Sequence, residues 1–364
     1  MSRFSRLFRA YLLPGIVFQS VLIGGAYATG REIVQYGAQY GARGVWCIGA
    51  IGVGFSLMAA LSFEFARRHR TYDYRNFMRA LTGPAWPLFD GVYTLMVLIT
   101  VAVVIAASVE VAQEVLGIPY FLSVGLVIVL VGALEIAGRR PIERFKTVGS
   151  ILLYGAFVVF AVVVLSATWD NVGRVFATGD HSYAPAQAPV ALLFTGVLYV
   201  AYNLGAMPAT LFVLDTQTST RQAVTAGLIT GLLSVVPFVI TYLAFMGHYP
   251  NAEVMGAEVP WLALLPQSLV HVYAVVILWT LIETSTGMIH AVVHRVDAHF
   301  EDAARPALTR TQTGLITAGI LIVAAGLSRF GLVALVARGY GLLAYGFLLL
   351  FALPLLARFL LRRL

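Results

Sequence analysis

The sequence predicts an all-α polytopic membrane protein of ten transmembrane helices, built as two five-helix repeats of opposite orientation. Three observations predict it: a strongly apolar composition, long apolar runs separated by arginine-bearing segments, and interruptions rich in glycine or proline at matching places in the two halves. Of the 364 residues, 60% are hydrophobic and 11% charged, and the mean hydropathy is +0.86. Soluble domains carry about a quarter charged residues, so this composition belongs to a chain that is buried mostly in lipid.

Apolar runs of about 20 residues are long enough to cross a bilayer. Ten occur: 11–40, 44–66, 86–116, 119–137, 144–167, 189–214, 221–246, 266–296, 311–328 and 331–358. The first follows Arg3, Arg6 and Arg9 and runs far past the core of a signal peptide without a small-residue cleavage pattern, so it is expected to remain as a span. With the amino terminus on the cytoplasmic side, the inner segments hold 19 of the 24 Lys and Arg residues; only Arg31, Arg43, Arg174, Arg329 and Arg338 fall on the outer half. The positive-inside rule therefore puts both termini in the cytoplasm, and the expected location is a bacterial cytoplasmic (inner) membrane. The net charge of +7 is spread between spans and not gathered into a domain, which argues against nucleic acid as a partner. The single cysteine, Cys47, excludes an intrachain disulfide, and no spacing of metal ligands is present.

The first span is interrupted by Gly24-Gly25-Ala26-Tyr27-Ala28-Thr29-Gly30-Arg31-Glu32. Each glycine weakens a helix by roughly 1 kcal/mol relative to alanine. In lipid the broken backbone must also find partners in protein or in a water-filled cavity. A shift of about 177 residues lays this stretch over Ala201-Tyr202-Asn203-Leu204-Gly205-Ala206-Met207-Pro208 in the sixth span. Five spans per half is an odd number, so the halves, 1–170 and 171–364, have opposite orientations. Paired broken first helices in an inverted repeat point to a transporter's binding site near the midplane.

The remaining segments are short. Trp169–Pro189 is long enough for a small helix or lid, Asn251–Trp261 is its counterpart in the second half, and Arg67–Pro84 and Asp297–Thr311 read as amphipathic connectors. No soluble catalytic module is present, and the chain is not expected to be an enzyme.

The candidate site residues follow from the two breaks. Gly24, Gly25, Ala26, Tyr27, Thr29 and Gly30 let a solute approach the backbone, where half-helix ends favour charged groups. Tyr199, Tyr202, Asn203 and Gly205 supply the second break with hydrogen-bonding groups and apolar walls. Arg31 and Glu32 open the outer half-helix: Glu32 suits its first turn, and Arg31 either binds a carboxylate or pairs with an outer acid as a gate, Glu110 being a candidate partner. Ser108 lies beside Glu110 in span three. Glu283 in the middle of span eight is a functional residue by default, because a carboxylate at bilayer depth is costly. The hydroxyls of Thr284, Ser285 and Thr286 suit a sodium ion, or else bond back to their own helix. Glu64 and Glu135, near inner helix ends, are expected to pair with neighbouring arginines.

The run Gly24 to Ile33, with Gly41 and Gly44 downstream, resembles the first-helix signature of the YkvI-like bacterial membrane proteins. Those resemble distant members of the amino acid, polyamine and organocation (APC) superfamily with the LeuT-type 5+5 fold. The resemblance implies a transporter with a central site between spans one, three, six and eight. It also implies a choice of coupling ion. In sodium-coupled relatives, first-helix carbonyls and eighth-helix hydroxyls hold Na+; in some proton-coupled or uncoupled ones a basic residue at the start of span five takes that place, a position that Arg140 resembles here, with Lys146 the weaker match. The expectation is a secondary transporter of a small polar solute, an amino acid or related zwitterion or amine, coupled to H+ or Na+ and needing no cofactor. Its partners are that solute and the lipid bilayer, assembly into a homo-oligomer is left open, and a channel or solute-sensing receptor on the same scaffold is the alternative.

Overall fold

The computed structural model describes residues 7–137, 139–302 and 306–361, with the side chains of 25, 26, 139–147, 149–151, 298, 299, 301 and 302 left undescribed. Among the described residues every regular element is helical. Among the described residues nine helices are long and apolar enough to cross a membrane, and a shorter apolar helix with two short continuations precedes them, where the first span is expected. That first span is α1 (Phe8–Leu22), α2 (Gly25–Thr29) and α3 (Arg31–Tyr36). Next come α4 (Val45–His69), the connector α5 (Tyr74–Thr82), α6 (Trp86–Leu116), α7 (Tyr120–Ala137) and α8 (Arg139–Thr178). The second half begins with α9 (Pro189–Asn203) and its continuation α10 (Leu204–Thr216), then α11 (Thr220–Met246). Two short helices, α12 (Ala252–Gly256) and α13 (Pro260–Leu264), precede α14 (Gln267–Asp302), α15 (Arg310–Ser328) and α16 (Leu332–Leu360).

Helices start where polar side chains can cap them. Asp73 accepts the Asn76 amide at the start of α5, Ser219 accepts the Gln222 amide at the start of α11, and Thr309 with Gln312 forms a capping box on α15. All three lie on the face that carries the arginine-rich segments, here called the basic face.

Two packing groups emerge. Helices α1, α4, α9, α10 and α11 pack on one another, while α6, α7, α8, α14 and α15 form a second group. The centre is α6, whose apolar window is 78% buried in protein, against 22% for α7 and α15. Small residues set the closest crossing inside the first group, where α4 and α11 bring Ser56 and Ala60 against Gly231 and Gly227.

Several boundaries differ from the sequence reading. Span five does not end near residue 167: α8 runs on to Thr178, so the first half of the expected Trp169–Pro189 lid is the end of a transmembrane helix. The second interruption is not a gap but a change of helix type, α to 3-10 at Leu204, because Pro208 has no amide to give to the Leu204 carbonyl. Glu64 pairs with arginines as expected, binding Arg67 (2.8 Å) and Arg68 (2.6 Å), and it also accepts the Thr220 hydroxyl (2.9 Å) at the start of α11. Glu135 instead faces His290 across 3.4 Å, joining α7 to α14.

The Glu64 cluster ties α4 to α11 on the basic face, and its carboxylate is nearly buried while Arg68 is half exposed. Glu64→Ala strands several donors and is expected to cost about 1–3 kcal/mol, read as a lower melting temperature in detergent. An unchanged melting temperature would show that the cluster does not hold the two helices together.

Candidate substrate-binding site

The first span breaks at Ile23 and Gly24, where Ile23 leaves helical geometry (φ −84°, ψ 77°) and Gly24 is extended. A side chain on Gly24 would reach to 2.6 Å from the Thr284 hydroxyl oxygen, so glycine is what lets this break lie against α14. The helix resumes for one turn and bends again at Gly30, which has a left-handed φ of 85°. A Cβ there would also press on Phe245 at 2.6 Å. The Thr29 hydroxyl oxygen accepts the Arg31 amide (3.1 Å) beyond the bend.

The bend turns Glu32 inward. Its carboxylate is buried, and it accepts the Tyr202 hydroxyl at 2.5 Å, which joins the first break to the end of α9. Tyr202 lies flat on Tyr340 of α16 (4.7 Å, 21°) and tilted on Tyr36 (5.7 Å). Glu32, Gly24, Thr100, Tyr202, Asn203, Thr284 and Tyr340 are among the residues that line a chamber of about 40 Å³. Through Val21, Met96, Ala206 and Met288 the chamber shares walls with a vestibule of about 670 Å³. That vestibule is lined toward the basic face by Asp73, Arg75, His294 and Arg295. Arg295 is stacked between Tyr74 and Tyr93 and paired with Asp90 (3.1 Å) at its rim. A side pocket of about 190 Å³ holds Glu283 and Thr284 beside Tyr154, Thr280 and Ser20.

The opposite face is closed. Arg31, 5% exposed, donates to the carbonyls of Met255 (2.8 Å) and Ala257 (3.0 Å) on and beside α12. Trp261 is buried between Phe157 and Phe245 just beyond. Asn171 binds the carbonyls of Met246, Gly247 and Tyr249, and the Gly41 carbonyl accepts the Tyr242 hydroxyl. In the loop above, hydrogen bonds from Ser182 and the nearby Arg174 hold the Asp180 carboxyl below its ordinary range.

Of the residues singled out in the sequence, Gly24, Tyr202, Asn203 and Thr284 meet at the chamber, Gly205 lines the vestibule and Glu283 the side pocket. Tyr199 stands behind the chamber, edge-on to Tyr202 and Tyr36. Tyr27 is fully buried against Phe157, and neither it nor Thr29, Gly30 or Ser108 lines the chamber. The hydroxyls of Thr284 and Thr286 donate to Thr280 and Ile282 of their own helix, and Ser285 is buried. The expected Arg31–Glu110 pair is not formed: backbone carbonyls and the nearby charge of Glu258 face Arg31, while Glu110 is near Glu258 and Glu114. The side chains of Arg140 and Lys146, and that of Ala26, lie outside the described residues, and Gly25 is described in backbone only. The sequence reading missed Glu32, Thr100 and Tyr340 as lining residues. Glu32 carried a signal, an acid just past a glycine-rich break inside an apolar run, and Tyr340 a weaker one, its place between Gly339 and Gly341 beside Arg338. Among the described residues no three His, Cys, Asp or Glu side chains converge as a metal site needs.

Two interrupted helices meeting at a small polar chamber, with a vestibule on one face and a seal on the other, define a polytopic membrane protein of transporter fold. No family model matches the chain. It is 23% identical over 340 residues to the uncharacterized membrane protein YkvI of Bacillus subtilis (strain 168), covering 90% of each. Among solved structures it is similar to a Na+-coupled sialic acid symporter in a substrate-bound outward-open state (TM-score 0.56, 11% identity, 97% of this chain and 84% of that one). It is also similar to a manganese transporter variant of Eremococcus coleocola (TM-score 0.63, 15% identity, 97% and 80%). At these identities the likeness to the solved structures is one of fold.

The Arg31 seal can be opened. On a Cys47→Ala background, Ala206→Cys is expected to react with an impermeant maleimide from the basic face only, and from both faces once Arg31→Ala is added. Labelling from the opposite face before Arg31 is changed would show that the seal is not closed.

Proposed function

We propose that the protein is a secondary active transporter that carries a small polar organic solute, an amino acid or related amine, by alternating access. The observation that carries the reading is the chamber where both breaks, α6 and α14 meet, shut toward one face and continuous with a vestibule toward the other. A conduit open at both ends would conduct; one open end and one seal is what a carrier holds at one stage of its cycle.

The two inverted repeats of this reading are the expected halves 1–170 and 171–364 with their boundary moved past the end of α8 at Thr178. In support, the first helix of each half is the one that breaks, and the second helices, α4 and α11, pack along each other. The group α1, α4, α9, α10 and α11 rocks against the group built on α6 and α14, and the Arg31 seal breaks as the vestibule closes. Glu283, with the hydroxyls near it, is the position for a coupling ion, H+ or Na+, in the side pocket next to the chamber. The location is the cytoplasmic membrane of a bacterium with both ends inside, supported by the distribution of arginine, so the vestibule faces the cytoplasm.

Reconstituted in liposomes, the protein is expected to accumulate a labelled amino acid or amine when a pH or Na+ gradient is imposed. Asn203→Ala lowers that uptake severalfold, and Glu110→Gln leaves it intact. Conductance or ligand binding without accumulation would overturn the reading in favour of a channel or receptor, and a Glu110 variant more damaging than the Asn203 one would move the site away from the chamber.

A further inference from the structure

The chamber presents a charge that its own walls do not balance. Glu32 is buried, its partners are the Tyr202 hydroxyl and the Tyr27 backbone amide, both neutral, and among the described residues no Lys, Arg or His lines the chamber. Among the described residues the titratable groups that face it are tyrosines: Tyr27 and Tyr36 from its own span, Tyr199 and Tyr202 from α9, and Tyr340 from α16. A carboxylate enclosed in this way is sustained by a proton or by a cation brought to it.

We propose that the chamber recognises the protonated amine of an organic solute, and that Glu32 gives up its proton as that ammonium arrives. The proposal rests on the transporter reading and names its substrate class. Three features select an ammonium. The carboxylate supplies the opposite charge. Tyr202 and Tyr340, stacked on each other at 4.7 Å, line the chamber with electron-rich aromatic surface, and Tyr36 backs Tyr202 at 5.7 Å. The chamber's 40 Å³ holds roughly three water-sized groups, enough for an ammonium head, with the apolar remainder of the solute lying against Val21, Met96 and Met288 toward the vestibule. An anionic head is disfavoured, because it would stand against Glu32 with no cation in the chamber walls. The step conserves charge: the carboxyl O–H bond breaks, the proton leaves to vestibule water, and the ammonium takes its place beside the carboxylate. Solute and proton therefore compete for one site: H+ coupling moves from Glu283 to Glu32, and transport is an exchange of ammonium for H+.

Titration calorimetry on the purified full-length protein, with butylamine as probe and butyrate and sodium chloride as controls, tests this. In buffers of different ionisation enthalpy, butylamine binding is expected to release about one proton, and its affinity to fall by about tenfold per pH unit as acid favours the protonated carboxyl. Glu32→Gln removes the proton release. Tyr202→Phe keeps it while weakening affinity, which covers the case in which the Glu32 variant does not fold. Preferential binding of butyrate, a response to Na+ alone with none to butylamine, or proton release that survives in Glu32→Gln would each overturn the proposal. Because binding is read without a membrane gradient, the two readings fail separately. Accumulation of an anionic solute without amine binding sinks the proposal and leaves the transporter standing; amine binding with proton release but no exchange in liposomes upholds recognition and sinks transport.

Discussion

The structure depends on one hydrogen bond between two interrupted helices, that from the Tyr202 hydroxyl to the Glu32 carboxylate. Lone burial of a carboxylate costs several kcal/mol even after relaxation, and one hydrogen bond to a charged group returns about 1.5–3 kcal/mol. The bond, with the Tyr27 amide beside it, therefore holds the breaks together but sets no opposite charge against the acid. What remains is a demand for positive charge at the one place where α3, α9, α6 and α14 come within reach of a solute. Tyr340, stacked on Tyr202, fixes the hydroxyl's direction from a fourth side.

The rest of the fold keeps that uncompensated acid away from water on one face only. Toward the opposite face Arg31 is bound to two backbone carbonyls next to α12, and Trp261 fills the space behind Gly30. Toward the basic face the chamber opens into apolar walls and then to a rim where Arg295 is held by two rings and an acid. The helix that carries Glu32, α3, packs on α9 and α11 of the group that carries Tyr202, while Thr100 and Thr284 belong to the other. Relative motion of the groups would thus reshape the chamber without breaking the Glu32–Tyr202 bond, which is the behaviour a carried site needs.

Nine of the ten expected spans and the position of the first break were legible because both are local: twenty apolar residues, or three glycines in seven, signal themselves without tertiary information. Helix rotation was not. Glu32 read as an acid suited to the first turn of a half-helix, and only the left-handed turn at Gly30 swings it onto Tyr202, 170 residues away in the chain. Arg31 offered no hint of its partners, since backbone carbonyls of a loop more than 220 residues further on leave no residue pattern to match. Glu110 was the nearest acid by expected depth, but the acid near Arg31 is Glu258, brought there by the loop after α12. Thr100 lies in an unbroken apolar run, where a threonine ordinarily packs, whereas Tyr340 follows Arg338 between Gly339 and Gly341 at the end of a π-helical stretch of the last span. Pro208 marked the second interruption correctly, yet its effect was a tightening to 3-10 geometry, because the chain still closes hydrogen bonds three residues back.

The account turns on Glu32 holding either a proton or a cation, and infrared difference spectroscopy reads that directly. On addition of butylamine to the wild-type protein, the account predicts the loss of one protonated-carboxyl carbonyl band, a loss that is missing in Glu32→Gln. An unchanged band in the wild type, or the same loss in Glu32→Gln, would contradict it.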